Sequence, residues 1–347
     1  MKKQNFEMRY KRQEMFDITE KELTPFSVNN KDYLVYGNAN LSIFVTDYCN
    51  ASCNFCVAQL RYFHDGVNYV KPAITDEKEY FDKLKIMLDT VKPLSPSVSL
   101  TGGEPTLDPK LPTMLDILDS YDIRKRTITT NGSGLLKKIT GSSDTIMDKL
   151  ISYKLQHLNI SRAHYNEEIN NSIMNLKNPS LSDAELEKIV QISTENGIRP
   201  RLSCILIKDG VNSVEEMVRY MDWAESIGVD NVVFRQLMKF DEKSVKPGRI
   251  PDFCKSQGVS LIPVWESLDK DKRFSFTTQI LGYYYYVEVF KYKGIDMVSE
   301  MADLNIIENE KERSLKKMNG IPVIYELVFH PNGNLCGSWR EWKEVII

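Results

Sequence analysis

The sequence lacks the features that would place it in a membrane, in a disulfide scaffold or on a nucleic acid. No apolar run approaches the roughly 20 residues that span a bilayer, and the basic start lacks the apolar core and cleavage site of a signal peptide. Six cysteines in 347 residues are too few for a disulfide scaffold. With a net charge of −3 and scattered Lys and Arg, no broad contact with a nucleic-acid backbone is expected. These absences predict a cytoplasmic protein with neither a membrane nor a nucleic acid as partner.

Motifs of several common enzyme classes are missing too. The chain has no phosphate-binding Gly-Lys-Ser/Thr loop and no Gly-x-Ser-x-Gly nucleophile turn. Its four histidines, His64, His157, His164 and His330, show no spacing typical of metal ligands. We therefore expect no histidine metal site, and consider only His64 and His164 as candidates for contact with a substrate.

The stretch from Cys49 to Cys56, CNASCNFC, stands out from the rest. Its three thiols, spaced by three and then two residues, can converge on one metal centre from a single loop. Four-thiolate zinc sites and electron-transfer clusters have four protein ligands, but no fourth cysteine lies nearby. Cys49, Cys53 and Cys56 therefore predict a metal centre with an open position. The alternative is a zinc knuckle or three buried thiols.

Short apolar strands alternate with amphipathic helices along the middle of the chain. Capping boxes, Ser182 with Glu185 and Ser213 with Glu216, mark two of the helix starts. Such alternation predicts a parallel sheet, here an α/β fold that forms a partial barrel of six β/α units. The predicted strands are Leu41–Thr46, Val98–Leu100, Arg126–Thr130, His157–Ile160, Arg201–Ile207 and Asn231–Phe234.

The pattern divides the chain into three parts. Residues 1–40 are mixed and polar and are expected to form an N-terminal cap, and residues 41–236 form the partial barrel. Residues 237–347 lose the regular alternation and predict an α+β extension that covers the barrel and shapes substrate access. Within it, the Asn-Gly turn at 332–333 predicts a hairpin.

The unusual polar and glycine-rich segments each follow a predicted strand. Besides the cysteine loop, these are Gly102-Gly-Glu-Pro105, Asn131-Gly132, Ser161-Arg162 and the segment after Ile207. Because the carboxyl ends of barrel strands carry the active site, we expect these segments to surround one opening.

With its Cys-x3-Cys-x2-Cys loop and a Gly-Gly-Glu-Pro segment after the next strand, the chain resembles the radical S-adenosylmethionine (radical SAM) superfamily over roughly residues 41–236. The resemblance implies that the three cysteines hold one 4Fe-4S cluster and that S-adenosylmethionine chelates its fourth iron. It implies reductive cleavage of S-adenosylmethionine to a 5′-deoxyadenosyl radical, which abstracts hydrogen from a substrate. A flavodoxin or ferredoxin is the implied electron donor.

The resemblance also implies roles for residues outside the cysteines. Gly102 and Gly103 would let backbone approach the cofactor, and Glu104 would accept a hydrogen bond from its ammonium group. Arg162 would pair with its carboxylate, for which the alternative is a surface ion pair. The full set of expected cofactor-binding residues is Phe55, Gly102, Gly103, Glu104, Asn131, Ser161, Arg162 and Ile207.

The strand pattern is most similar to the molybdenum-cofactor-cyclase-like branch of the superfamily, but the C-terminal cysteine triplet of that branch is absent. Cys204 is expected in the core. Cys336 is a candidate hydrogen donor to a product radical, and its alternative is a packed thiol. We expect a small biosynthetic metabolite as substrate. The alternatives are a ribosomally made peptide, or a non-catalytic iron-sulfur or zinc protein.

Overall fold

The computed structural model describes residues 16–37, 39–63, 71–178, 180–240 and 243–347. Its strands are β1 (Leu23–Val28), β2 (Lys31–Tyr36), β3 (Asn40–Phe44), β4 (Ser97–Thr101), β5 (Lys125–Thr130), β6 (His157–Ser161), β7 (Arg199–Leu206), β8 (Asn231–Gln236), β9 (Phe274–Leu281), β10 (Tyr285–Tyr292), β11 (Ile295–Ala302), β12 (Val323–Ile324), β13 (Leu327–Phe329) and β14 (Leu335–Cys336). Its α-helices are α1 (Glu77–Val91), α2 (Leu111–Asp119), α3 (Ile146–Ser152), α4 (Glu167–Met174), α5 (Asp183–Glu195), α6 (Val214–Ser226), α7 (Arg249–Gln257), α8 (Leu261–Lys270) and α9 (Ile307–Lys317).

The predicted α/β partial barrel is confirmed. Strands β3 to β8 lie side by side in chain order, and every neighbouring pair among them is parallel. At least one helix separates each strand from the next, as parallel neighbours require. All six predicted strands are present.

Helix starts follow the local sequence only in part. At α5 the capping box is complete: Ser182 Oγ accepts from Glu185 N at 3.3 Å, and Glu185 Oε2 accepts from Ser182 N at 3.0 Å. At α6 Ser213 Oγ accepts from Glu216 N, but the Glu216 carboxylate accepts from the Tyr165 hydroxyl at 3.2 Å. In the second capping box, the hydroxyl of the distant Tyr165 thus takes the place of the Ser213 backbone N–H as donor to the Glu216 carboxylate.

The C-terminal part continues the barrel sheet at both of its edges. β13 pairs in parallel with β3, and β11 pairs in parallel with β8. Antiparallel β14 then borders β13, while β10 and β9 follow β11, which completes an 11-stranded sheet. β13 and β14 are the predicted hairpin, with Gly333 of its turn at φ +83°. The α+β extension therefore supplies strands that cover both edges of the barrel, where unpaired backbone groups would otherwise remain.

Part of the expected N-terminal cap lies within the described residues. β1 and β2 form an antiparallel hairpin, and β12 from the C-terminal part pairs with β2 to make a separate sheet of three strands. Residues 1–15 lie outside the described part of the chain. Among the helices that the structure describes, none is long and apolar enough to cross a membrane.

The two faces of β6 and β7 differ sharply. One face is apolar and fully buried, and it shares a core with residues of α5 and α6. A closed barrel fills its interior with packed side chains, but here the inner face is polar and only half-buried. It is therefore not packed like the interior of a closed barrel. The inner-face residues of these strands are His157, Asn159, Ser161, Arg199, Arg201, Ser203 and Ile205.

Trp265 of α8, which is fully buried, packs this helix against the C-terminal strands. Its Nε1 donates to Ser299 Oγ of β11 at 2.6 Å, and its ring packs edge-on against Tyr286 of β10. We expect Trp265→Ala to lower the free energy of unfolding by about 3–5 kcal/mol, because it leaves a large cavity. Urea unfolding measures this loss. The control is Ile280→Ala, which changes an exposed residue of β9 and should cost less than about 1 kcal/mol. An equal loss in both variants would contradict the structural role of Trp265.

Candidate active site

The cysteine loop follows β3 at the carboxyl edge of the sheet. Cys49, Cys53 and Cys56 are free, half-buried thiols. Cys49 Sγ accepts from Ala51 N at 3.3 Å, and Cys53 Sγ donates to Met174 O at 3.3 Å. Within the described residues, no three Cys, His, Asp or Glu side chains already form a metal-binding group.

Electrostatics keep these thiols protonated in the protein alone. Burial raises the pKa of Cys53 to about 12, and negative charges on Cys56 and Cys49 act in the same direction. Burial likewise raises the pKa of Cys56. A cationic metal centre would stabilise the thiolates and release their protons. The donor set consists of three neighbouring thiols from one loop. Its chemistry fits a cluster with three protein ligands.

The two glycines after β4 allow close packing against the start of the cysteine loop. Gly103 N donates to Thr46 O at 2.6 Å, and Glu104 N donates to Tyr48 O at 2.7 Å. A Cβ on Gly103 would lie 2.0 Å from Tyr48 O, and Gly102 has φ +134°. The backbone that approaches both glycines is thus that of the cysteine loop. Contact of these glycines with a cofactor stays a prediction.

The Glu104 side chain accepts four hydrogen bonds, and only 1% of its surface is exposed. Oε1 accepts from Thr106 N at 3.0 Å, from Thr106 Oγ1 at 2.6 Å and from Thr130 Oγ1. Oε2 accepts from Asn131 N at 2.6 Å. Burial raises the pKa of Glu104, and these hydrogen bonds oppose that rise. Because Oε2 has one protein donor, it can still accept from an ammonium group.

A chain of amides connects Glu104 to the cysteine loop. Asn131 Nδ2 donates to Asn50 Oδ1 at 2.8 Å and lies 3.9 Å from Cys49 Sγ. Ser133 completes the chain, since its hydroxyl donates to Asn131 Oδ1 and accepts from Asn50 Nδ2. Asn131 is therefore placed against the thiol loop, and its contact with a cofactor stays a prediction.

Arg162 is almost completely buried rather than on the surface, but the ion pair of the alternative is present, with Asp183 as its partner. Its guanidinium donates to His164 O at 3.0 Å and to the Asp183 carboxylate, and it lies 5.4 Å from the Trp223 ring. These contacts join β6 to α5 and α6. Pairing of Arg162 with a cofactor carboxylate stays a prediction. Ser161, the last residue of β6, is half-buried on the inner face.

Ile207 lies at the end of β7 and is 1% exposed. It forms an isolated β-bridge with Gly258, and the next residue, Lys208, donates its N–H to Gln257 O at 3.1 Å. The loop after β7 is therefore bound to the carboxyl end of α7. The expected contact of Ile207 with an adenine stays a prediction.

Arg249, at the start of α7, contacts the cysteine loop directly. Its guanidinium donates to Ser52 O at 2.8 Å, to Gln59 Oε1 at 3.3 Å and to Asn54 Oδ1. Sequence analysis missed this residue because a lone arginine in a loop-rich stretch carries no signal for a contact 197 positions away.

Phe55 was expected to bind the cofactor. The centroid of its ring lies 6.3 Å from that of Phe253, a residue of α7. At its other end, α7 contacts the β7 loop through Gln257. The helix therefore spans the space between the cysteine loop and the end of β7. The residues predicted to bind the cofactor follow neighbouring strands at the carboxyl edge of the sheet, and their contact with a cofactor stays a prediction.

The three remaining cysteines lie on separate elements. Cys204 of β7 is fully buried in the core, as predicted. Cys254 lies half-buried on α7. Cys336 of β14 is fully buried; its Sγ lies 3.6 Å from Glu341 O, and burial raises its pKa to about 12. This placement fits the packed-thiol alternative, and the hydrogen-donor role of Cys336 stays a prediction.

Of the histidines considered for substrate contact, His64 lies outside the described residues. His164 is buried, and its Nδ1 accepts from Asn166 N at 3.0 Å.

Replacing Glu104 by Gln should destabilise the protein. Glutamine presents an N–H group where Glu104 accepts hydrogen bonds, so buried donors lose their partner at a cost of about 2–3 kcal/mol. Urea unfolding at pH 7 measures the change, with Glu187→Gln on the exposed side of α5 as the control. If both variants unfold like the wild type, the network does not hold the strand ends together.

Comparisons with known proteins show what this chain is similar to. The model of the Radical SAM superfamily matches residues 43–224. The 7,8-dihydro-6-hydroxymethylpterin dimethyltransferase of Methanocaldococcus jannaschii is 26% identical over 240 residues, which cover 65% of this chain and 42% of that protein. The GTP 3',8-cyclase of Aquifex aeolicus is 25% identical over 193 residues, which cover 54% of this chain and 53% of that protein. This chain thus spans about half the length of these curated relatives.

Among solved structures, a radical SAM methyltransferase from Sphaerobacter thermophilus aligns with a TM-score of 0.41 and 17% identity, covering 73% of this chain and 78% of that one. The family match covers just over half of the present chain and includes the cysteine loop and the Gly-Gly-Glu-Pro segment. The protein is therefore an enzyme that belongs to the radical SAM superfamily.

Proposed function

We propose that this enzyme binds one 4Fe-4S cluster through Cys49, Cys53 and Cys56 and cleaves S-adenosylmethionine reductively. The observation that carries the proposal is the loop of three neighbouring thiols, which packs against the Gly-Gly-Glu-Pro segment at the carboxyl edge of the sheet. No single one of these features is specific, but their combination is what the chemistry requires.

Held by Cys49, Cys53 and Cys56, the cluster would supply the electron for reductive cleavage of S-adenosylmethionine, and the cofactor would supply the radical chemistry on the substrate. The protein's own residues hold the reacting groups in place. Arg249 fixes the backbone of the cysteine loop through Ser52 O, and Asn131 connects that loop to Glu104. Oε2 of Glu104 offers its remaining acceptor site to the cofactor ammonium group.

Four further residues are proposed to bind the rest of the cofactor. Asn131 follows β5, and Ser161 ends the neighbouring strand β6. Both would contact the ribose and carboxylate of the cofactor, and Arg162 would pair with that carboxylate. Ile207 and the β7 loop would border the adenine. Phe55 and Phe253 would shield the thiol loop from solvent.

The proposed substrate is a small biosynthetic metabolite. The names of the two curated relatives designate small molecules, GTP and a pterin. The C-terminal strands border the inner face at both edges of the barrel, which favours a compact substrate over the alternative of a ribosomally made peptide. Membership of the radical SAM superfamily supports a catalytic protein over the alternative of a non-catalytic iron-sulfur or zinc protein.

A low-potential reductant is needed for this chemistry, so a flavodoxin or ferredoxin is the proposed electron donor. The cytoplasm is the proposed location, because three closely spaced thiols stay reduced there.

Anaerobic reconstitution with iron and sulfide tests the proposal. We expect the wild type to bind about four irons per chain and, with dithionite, to convert S-adenosylmethionine to 5′-deoxyadenosine, measured by liquid chromatography. Cys53→Ala should lose the irons and the product together, because one of the three ligands is gone.

The matched control is Cys254→Ala, which removes another half-buried thiol outside the loop. It should retain both the irons and the product. Wild-type protein without iron, or with iron but without 5′-deoxyadenosine, would overturn the proposal, and so would equal losses in the two variants.

A further inference from the structure

The inner face of β6 and β7 carries four polar residues that the proposed cofactor chemistry does not use. In the register of the sheet, His157 lies opposite Arg199, and Asn159 lies opposite Arg201. Ser161 and Ser203 form the next inner-face pair towards the carboxyl edge, about 7 Å further along the strands. The four polar residues therefore lie just below the proposed cofactor site.

Two arginines in this region, Arg199 and Arg235, have carboxylate partners. Arg199 pairs with Asp230 at 3.1 Å and with Asp296 at 2.7 Å. Arg235 pairs with Glu300 at 2.6 Å. These three acids are consequently already engaged.

Arg201 differs from its neighbours. Its Nε donates to Asn231 Oδ1, but its guanidinium forms no ion pair with any residue in the described part of the chain. Burial and the like charges of Arg235 and Arg199 lower its pKa, and the charges of Glu300 and Asp296 oppose that change. A half-buried cation beside two other cations is stabilised when a further anion binds next to it.

Two buried polar atoms next to Arg201 also lack a partner among the described residues: His157 Nδ1 and Asn159 Oδ1. Buried polar atoms are normally hydrogen-bonded, and leaving them without a partner is costly. Because the O and N of an amide are assigned rather than observed, a rotated Asn159 can present its NH2 group here. Burial, together with the charges of Lys125, Arg201 and Arg199, lowers the pKa of His157 to about 4, so its ring is neutral at pH 7 and either nitrogen can donate.

We propose that Arg201, with Asn159 and His157 beside it, binds an anionic group of the substrate, a phosphate or a carboxylate. The terminal nitrogens of the guanidinium match two oxygens of such a group. This inference rests on the proposed function, because it names the substrate class for the same face of the sheet. Held by its anionic group, the substrate would extend its remaining part towards Ser161 and the cofactor.

Equilibrium dialysis of the reconstituted full-length protein against radiolabelled inorganic phosphate or radiolabelled malonate, at constant ionic strength, tests the proposal. We expect saturable binding of one anion per chain for at least one probe, and the tighter probe distinguishes phosphate from carboxylate. Arg201→Gln keeps hydrogen-bond donors but loses the charge, and should weaken binding at least tenfold.

Arg219→Gln is the matched control, because Arg219 is exposed on α6 and pairs with Glu216; its affinity should equal that of the wild type. Thermal melts report folding, and if Arg201→Gln does not fold, Arg201→Lys replaces it, with an intermediate affinity expected. No saturable binding of either probe, or equal affinities in the Arg201 and Arg219 variants, would overturn the proposal.

The outcome is separable from that of the proposed function. Wild-type protein that forms 5′-deoxyadenosine but binds neither probe contradicts the anion site alone. Protein that binds a probe through Arg201 but never forms 5′-deoxyadenosine contradicts the proposed function alone.

Discussion

The geometry of the site depends on one buried carboxylate. Glu104 follows β4, yet its oxygens accept hydrogen bonds from the end of β5 as well as from its own turn. Burying a carboxylate is costly unless donors surround it, and those donors here belong to the two strand ends. Through Asn131 and Asn50 the same network reaches Cys49. The cysteine loop and the two strand ends therefore hold their positions together.

The C-terminal part completes this arrangement from outside the family-matched region. Its strands β13 and β11 pair with the two edges of the barrel sheet, which leaves a polar inner face between packed edges. Its helix α7 contacts the cysteine loop through Arg249 and the β7 loop through Gln257. The edge strands supply backbone partners, and α7 supplies side chains to the site. A superfamily with a common cofactor site can vary its substrates through such additions.

Several features were predictable because neighbouring residues specify them. The strands have an apolar face that must be buried, and the Ser182 capping box needs only residues three apart. The alternation of polar and apolar residues in Arg199–Leu206 is also visible in the sequence, and it matches the half-buried inner face and the buried outer face of β7. The burial of Arg162 could not be predicted, because its partner Asp183 and the Trp223 ring come from different helices.

The sequence by itself determined the parallel α/β barrel, the three-thiol loop and the placement of the motifs at one edge, since periodicity and short spacings act locally. Only the tertiary structure decided which charges are paired. Arg199 and Arg201 are two residues apart on the same face, yet Arg199 pairs with Asp296, 97 positions away, while Arg201 forms no ion pair with the described residues. The reason is that sheet register, which depends on the whole fold, sets which distant side chains meet.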